Sequence, residues 1–252
     1  MAEWVETNVN GYNVYAYDGN DWEAVNKTYA YWGSIPVQND WFVYDGTTIR
    51  GLTARYENGQ PVYDEKYGYG QENMTIPNDC TALASATFLR LKNVDTDEEN
   101  IVIPNSALKT LYIPDNVTTL EPGSIAQCVS LESVRLPNEI TEIAFNLFLC
   151  QSPYNTMLQQ VTIPHKVASI GPYTFTGCQG LKRLNFIRDS SYTGKISIPI
   201  EIFDSVITPF EMYFSCSQSE AENLFDFGSW TPNTQETFLN ATKYYNQVIT
   251  ND

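Results

Sequence analysis

Leu108-Lys-Thr-Leu111-Tyr-Ile113-Pro114-Asp-Asn-Val117-Thr-Thr-Leu120, followed by Ile125-Ala-Gln-Cys128-Val-Ser-Leu131, is one turn of a repeat. The next turn starts on that same Leu131 and continues through Val134, Leu136-Pro137, Ile140, Ile143, Leu147 and Cys150. After a short insertion around Ser152 to Asn155, a third begins at Leu158. It runs through Val161, Ile163-Pro164, Val167, Ile170, Phe175, Cys178 and Leu181. The prolines Pro114, Pro137 and Pro164 are therefore 23 and 27 residues apart. A period of this length implies a solenoid, in which each coil buries its apolar face only against its neighbours.

The spacing within a turn has a physical reading. Leu111 and Ile113 alternate, so both point inward from a short strand. The proline that follows ends the strand and removes a backbone donor. Val117 and Leu120 are three apart, as are Ile125, Cys128 and Leu131, which fits a tight helical turn or a second bent strand closing the coil. Cys128, Cys150 and Cys178 stand in corresponding positions and are expected to form a ladder of small buried thiols, with Pro114, Pro137 and Pro164 as the matching strand stops.

Outward from this core the pattern weakens. Ile76-Pro77 with Cys80 and Leu83 reads as a shortened coil, and Phe88 to Val94 begins another that Asp95–Asn100 interrupts. Beyond Leu181, Leu184 and Phe186 keep their places but Ile187 replaces the proline, and Ile196-x-Ile198-Pro199 recovers the pattern once. Thr234 to Val248 has apolar residues at helical spacing and predicts a C-terminal helix. Residues 1–70 have another texture. Asp18-Gly19, Asp45-Gly46 and Asn58-Gly59 each divide two apolar or aromatic runs and predict hairpins. Tyr67-Gly-Tyr-Gly70 reads as a linker. The expected organisation is an antiparallel β docking module over 1–70, a solenoid over 71–215 with atypical first and last coils, and a cap with one helix over 216–252. The class is mainly β with short helices.

The motif L-x-x-[VL]-x-[IL]-P-x-x-[VI]-x-x-[IL], ending in C-x-x-L, resembles the BspA-type leucine-rich repeat. Leu108–Leu131, Leu131–Cys150 and Leu158–Leu181 carry the resemblance, and the third copy fits best. It implies a binding solenoid and no shared reaction, since such repeats occur in bacterial surface adhesins, protist surface proteins and phage-encoded proteins. Tyr15-x-Tyr17-Asp-Gly-x-x-Trp22 and Trp41-x-Val43-Tyr-Asp-Gly46 resemble the aromatic Asp-Gly hairpins at the start of phage tail and head appendage proteins.

Charge narrows the partners. Thirty acidic residues face 14 basic ones, a net charge of −16. No basic stripe exists to hold phosphates, which excludes nucleic acid as a partner, and an anionic membrane would repel the chain. No apolar run is long enough to span a bilayer. Met1-Ala-Glu-Trp-Val-Glu lacks the basic and apolar regions of a secretory signal. Five cysteines, an odd number, argue against a disulfide framework.

Candidate chemistry is sparse. His165 is the single histidine and follows Pro164, where the other turns carry Asp115 and Asn138, so it reads as a solvent-facing turn residue. Nucleophile–histidine arrangements have no other base to use. Asp95-Thr-Asp-Glu-Glu-Asn100 begins like a calcium loop. It then places Asn100 where glycine is needed and Ser106 where glutamate is needed. No catalytic residue, cofactor or metal is assigned. Trp22, Trp32, Trp41 and Tyr44 lie beside turns and are the candidates for glycan contact, with burial in a small β core as the competing reading. The expected function is non-enzymatic attachment. The first reading is a virion component contacting other virion proteins or its own copies, with a host protein or glycan as receptor. The alternative is a bacterial surface adhesin, and a glycan hydrolase is the third.

Overall fold

The computed structural model describes residues 4–9, 12–17, 39–64, 66–101, 104–151, 154–188, 194–203 and 209–251. β1 (Trp4–Val9) and β2 (Tyr12–Tyr17) form an antiparallel hairpin of their own. Asp18-Gly19 and the strand expected after it lie outside the described residues. β3 (Phe42–Asp45) and β4 (Thr48–Glu57) make the expected Asp45-Gly46 hairpin, with a register shift between Val43 and Tyr44. β5 (Gln60–Val62) folds back on β4 through Asn58 and Gly59, both at positive φ (53° and 76°). That is the backbone a two-residue type I′ turn demands.

The coils follow in order. The first holds β6 (Asn73–Thr75), β7 (Ala82–Leu83), and a side hairpin of β8 (Arg90–Asn93) and β9 (Glu99–Ile101). The second holds β10 (Thr110–Tyr112) and β11 (Thr119–Leu120), and the third β12 (Ser133–Arg135) and β13 (Glu142–Ile143). The fourth holds β14 (Gln160–Ile163) and β15 (Ser169–Ile170), and the fifth β16 (Arg183–Phe186) and β17 (Ile196–Ile200). The sixth holds β18 (Glu211–Phe214), the short helix α1 (Gln218–Ala221), β19 (Phe225–Trp230) and helix α2 (Pro232–Asn240), before β20 (Thr242–Tyr244). The first strands of the coils pair in parallel as β6-β10-β12 and β14-β16-β18-β20, and the second strands as β7-β11 and β13-β15-β17-β19.

Each coil turns its apolar residues inward. Leu108, Leu111, Ile113, Val117, Leu120, Ile125, Cys128 and Leu131 are all buried, as are their counterparts from Leu158 to Leu181. Toward the C-terminus aromatic rings take over the interior. Phe148 stacks on Phe175 and Phe175 on Phe203, both at 5.7 Å between ring centres, and Phe186 stacks on Phe214 at 5.3 Å. A ring repeated once per coil meets its copy at about the ~4.8 Å strand spacing plus an offset, which is the stacking aromatic pairs prefer.

Several expectations change. The ladder does not fade after Leu181: Arg183, Glu211 and Thr242 pair in register on three successive strands, at intervals of 28 and 31 residues. The helix expected to reach Val248 ends at Asn240, and Thr242–Tyr244 is strand because it completes the ladder. Tyr67–Gly70 is not a linker. Tyr69 is fully buried and stacks on Tyr63, and a Cβ on Gly68 would lie 2.2 Å from the Trp41 carbonyl oxygen. Nor does the sheet break at residue 70, because β4 pairs in parallel with both β7 and β8. The Asp45-Gly46 hairpin is thus the first rung of the solenoid. It brings Trp41, Phe42, Ile49 and Leu52 into the common core.

The cysteine ladder also differs in register. Asn105 bridges Cys128 and Asn155 bridges Cys178, so the column reads Asn105, Cys128, Asn155, Cys178, each three residues before a buried leucine. Cys150 stands outside it, before the insertion, with its amide on the Thr176 carbonyl. Asn155 explains the substitution. Its Nδ2 donates to the carbonyls of Cys128 and Leu131, and its Oδ1 accepts from the amides of Met157 and Leu158. One side chain thereby satisfies four backbone groups that a buried turn would leave unpaired.

Candidate recognition face

The in-register first strands turn every second side chain outward. One outward row runs Gln160, Arg183, Glu211 and Thr242 on β14 to β20, with Ser133 on the neighbouring β12, which ends its own ladder. The next row runs Thr162, Asn185, Tyr213 and Tyr244, with Arg135 on β12 outside their register. The face is polar and aromatic, and its members hold one another. Arg183 donates through Nε and Nη2 to Glu211 Oε2 (3.0 and 2.6 Å), and its guanidinium lies 4.3 Å from the Tyr213 ring centre. Tyr213 stacks on Tyr244 at 4.4 Å, and Asn185 Nδ2 donates to Thr162 Oγ1 at 3.2 Å. Desolvation, with Glu211 and Tyr244 beside it, raises the Tyr213 phenol above its ordinary value against the opposing pull of Arg183.

A strap borders this face. After β20 the chain returns to β12, where Asn251 Nδ2 donates to the Leu136 carbonyl and to Asn138 Oδ1, and Arg135 Nε donates to the Asn251 carbonyl. The return crosses four strand spacings, about 19 Å. The seven residues from Tyr245 to Asn251 can span about 24 Å when extended. Arg135 anchors it: the side chain is 6% exposed, pairs with Asp115 at 2.6 Å and lies 5.0 Å from the Tyr112 ring centre. Between strap and strands lies a groove of about 810 Å³. Glu132, Gln159, Gln160, Thr162, Lys182, Arg183, Asn185 and Glu211 line it, with Val134, Met157 and Pro209 as its apolar members and Thr250 and Asn251 at its rim.

The residues singled out from the sequence lie elsewhere. Trp41 is 2% exposed and belongs to the end cap, so it offers no ring to a glycan. Tyr44 packs against the same core, and burial, then Asp79 and Cys80, push its phenol up to about 12. Trp22 and Trp32 lie outside the described residues. The positions found instead, Arg183, Tyr213 and Tyr244, sit where no proline marks the repeat. Their signal was the alternation of Leu184 with Phe186 and of Met212 with Phe214.

The remaining candidates for chemistry resolve into structure. Asp95–Glu98 is the turn of the β8–β9 hairpin, with Asp97 paired to Lys92 at 2.9 Å, and Glu99 just beyond it is gripped by Arg50 through two contacts. No group of three potential metal ligands gathers among the described residues. All five cysteines are free, and all but Cys216 are buried. Burial, with Cys150 nearby, drives the Cys128 thiol well above its usual range, whereas a hydrogen bond from Cys178 outweighs burial and lowers that of Cys150. Among the described residues no helix is long and apolar enough to cross a membrane.

Residues 104–209 match the BspA-type leucine-rich repeat region, in six copies. No curated protein matches the chain. Among solved structures, a leucine-rich cell surface protein from Faecalibacterium prausnitzii is 21% identical, with a TM-score of 0.45 over 62% of this chain and 35% of its own. The pneumococcal vaccine antigen PcpA is 16% identical, with a TM-score of 0.44 over 82% of this chain and 46% of its own. A leucine-rich repeat protein from Eubacterium ventriosum is 13% identical, with a TM-score of 0.17 over 57% of this chain and 66% of its own. The chain thus spans less than half the length of the first two.

Proposed function

The chain carries a BspA-type leucine-rich repeat region, and from that premise we propose that it is a non-enzymatic recognition module of a bacterial surface adhesin, binding a host protein or glycan on its first-strand face. One observation carries the reading. The outward rows of β14 to β20 form a continuous in-register polar and aromatic surface beside a formed groove, whose members are fixed by each other rather than poised around a reactive group. Pre-organised side chains lower the entropy lost on binding, which favours recognition.

The virion reading draws no support from the comparisons. Its structural motive also weakens, because the Asp45-Gly46 hairpin that resembled a free docking element is built into the first rung of the solenoid. The hydrolase reading needs two carboxylates across a cleft. In the groove Glu211 is tied to Arg183.

The test is adhesion. Beads coated with the full chain are expected to bind host cells or extracellular matrix, and soluble chain should compete. Beads that bind neither cells nor matrix, while the chain co-purifies with phage particles, would reverse the order of the two readings.

A further inference from the structure

Resting on the ladder face as the recognition surface, we infer that the groove, with the outward rows that run on from it to the edge strand β20, takes a linear neutral oligosaccharide laid across the strands, parallel to the solenoid axis. Gln160, Arg183, Glu211 and Thr242 come from four adjacent strands in perfect register. They present hydrogen-bonding groups at the ~4.8 Å strand interval, close to the length of one sugar residue. Amide, guanidinium, carboxylate and hydroxyl together supply both donors and acceptors, which is what a row of sugar hydroxyls needs. Beyond the groove, Tyr244 ends the neighbouring row on the edge strand, more exposed than Tyr213, which lies between it and Arg183. A pyranose has an apolar face of C–H groups that an aromatic ring accepts.

The charge pattern selects a neutral ligand. The groove lining holds two acids, Glu132 and Glu211, against two bases, Lys182 and Arg183. It is therefore locally balanced inside a chain of net charge −16. Arg183 already spends its charge on Glu211, and the surrounding negative field opposes sulfated or sialylated chains. A peptide is served less well. Protein hot spots need a buried apolar pocket for an aromatic or aliphatic anchor, and Val134, Met157 and Pro209 are the groove's few apolar residues.

The experiment uses the full chain on an array of linear neutral oligosaccharides built from glucose, mannose, galactose and N-acetylhexosamine, with sialylated and sulfated counterparts alongside. Hits are then titrated by calorimetry at low and high salt. Neutral glycans are expected to bind with little salt dependence, and Tyr244→Ala and Asn185→Ala should each weaken binding about tenfold without moving the melting curve. Tyr244 lies on an edge strand, and Gln160→Ala provides a third, exposed position should either variant melt early. Binding confined to charged glycans, an array with no hits, or neutral binding untouched by all three variants overturns the inference. A protein ligand blocked by Asn185→Arg, with no glycan bound, would overturn the glycan and leave the face standing. Loss of neither would bring down both.

Discussion

The second coil and the fifth and sixth build the same kind of parallel ladder around different interiors. In the second, Leu111, Ile113, Val117 and Ile125 form an aliphatic interior within a 23-residue interval, from Thr110 to Ser133. In the last two, Phe186, Phe203, Phe210, Phe214 and Phe238 crowd together, and the intervals lengthen to 28 and 31 residues. Strand register survives the change. The backbone ladder sets the coil spacing, and the interior need only fill the volume at that spacing. Aliphatic side chains do so with a short arc, whereas stacked rings need longer connections around them.

The largest effect is expected at the aliphatic end. Removing residues 1–71 strips β4 from β7 and β8 and takes Trp41, Phe42, Ile49, Leu52 and Tyr69 out of the core. The remainder should lose its cooperative melt and aggregate through the bared strand edge. A truncated chain that melts like the whole would show that the hairpin only leans on the solenoid.

Single core deletions sharpen the comparison. Phe186→Ala should cost about 3–5 kcal/mol and Ile113→Ala about 2–5 kcal/mol in denaturant unfolding. Phe186 touches Phe214, Phe225 and Phe238, so its loss should couple strongly to Phe214→Ala, in the manner of neighbouring sites. Additive values would mean the rings pack independently.

Asn155 separates the two column residues. Asn155→Ala leaves two amides and two carbonyls without their partner and should cost about 2–3 kcal/mol. Asn155→Cys, which restores the residue of Cys128 and Cys178, should cost less. Equal losses would deny that the positions are equivalent.

The smallest effect is acid sensitivity. Burial alone would raise the Asp115 carboxyl, but hydrogen bonds from Arg135 and Asn138 hold it below the ordinary carboxylate range. A depressed carboxyl stabilises the fold above its unfolded value near ~4. That contribution fades as pH falls through the lower folded value. Asp115→Asn should flatten the acid limb of the stability curve by under ~1 kcal/mol, since the carboxylate is half-exposed and screened by water. An unchanged limb would remove Asp115 from the strap's anchor.

The aliphatic coils were legible because their period is carried by prolines and by leucines with one role. The aromatic coils were not, because Ile187 replaces the proline and the intervals stretch, so Met212 and Phe214 gave only a two-residue alternation. The Asn155 column was readable in principle, since Asn105-x-x-Leu108 and Asn155-x-x-Leu158 repeat the spacing of Cys128-x-x-Leu131. The alternation of asparagine with cysteine in that column breaks the residue identity, and Cys150, before the insertion, matches cysteine without sharing the place. The recognition face had no motif at all. It consists of the outward positions, which the ladder leaves free to vary, and only pairing register brings Arg183, Tyr213 and Tyr244 together. For Trp41 the competing reading held: its ring lies in the core of the end cap and not on a glycan-binding surface.

The central claim is that recognition belongs to the first-strand face and not to the solenoid surface in general. Asn185→Arg places a bulky charge on that face, and Ser169→Arg places the same charge on β15 in the other ladder. Measured as bead adhesion to host cells or matrix, with melting curves confirming equal folding, Asn185→Arg should abolish binding and Ser169→Arg should leave it intact. Equal binding by both variants, or loss only with Ser169→Arg, would contradict the account.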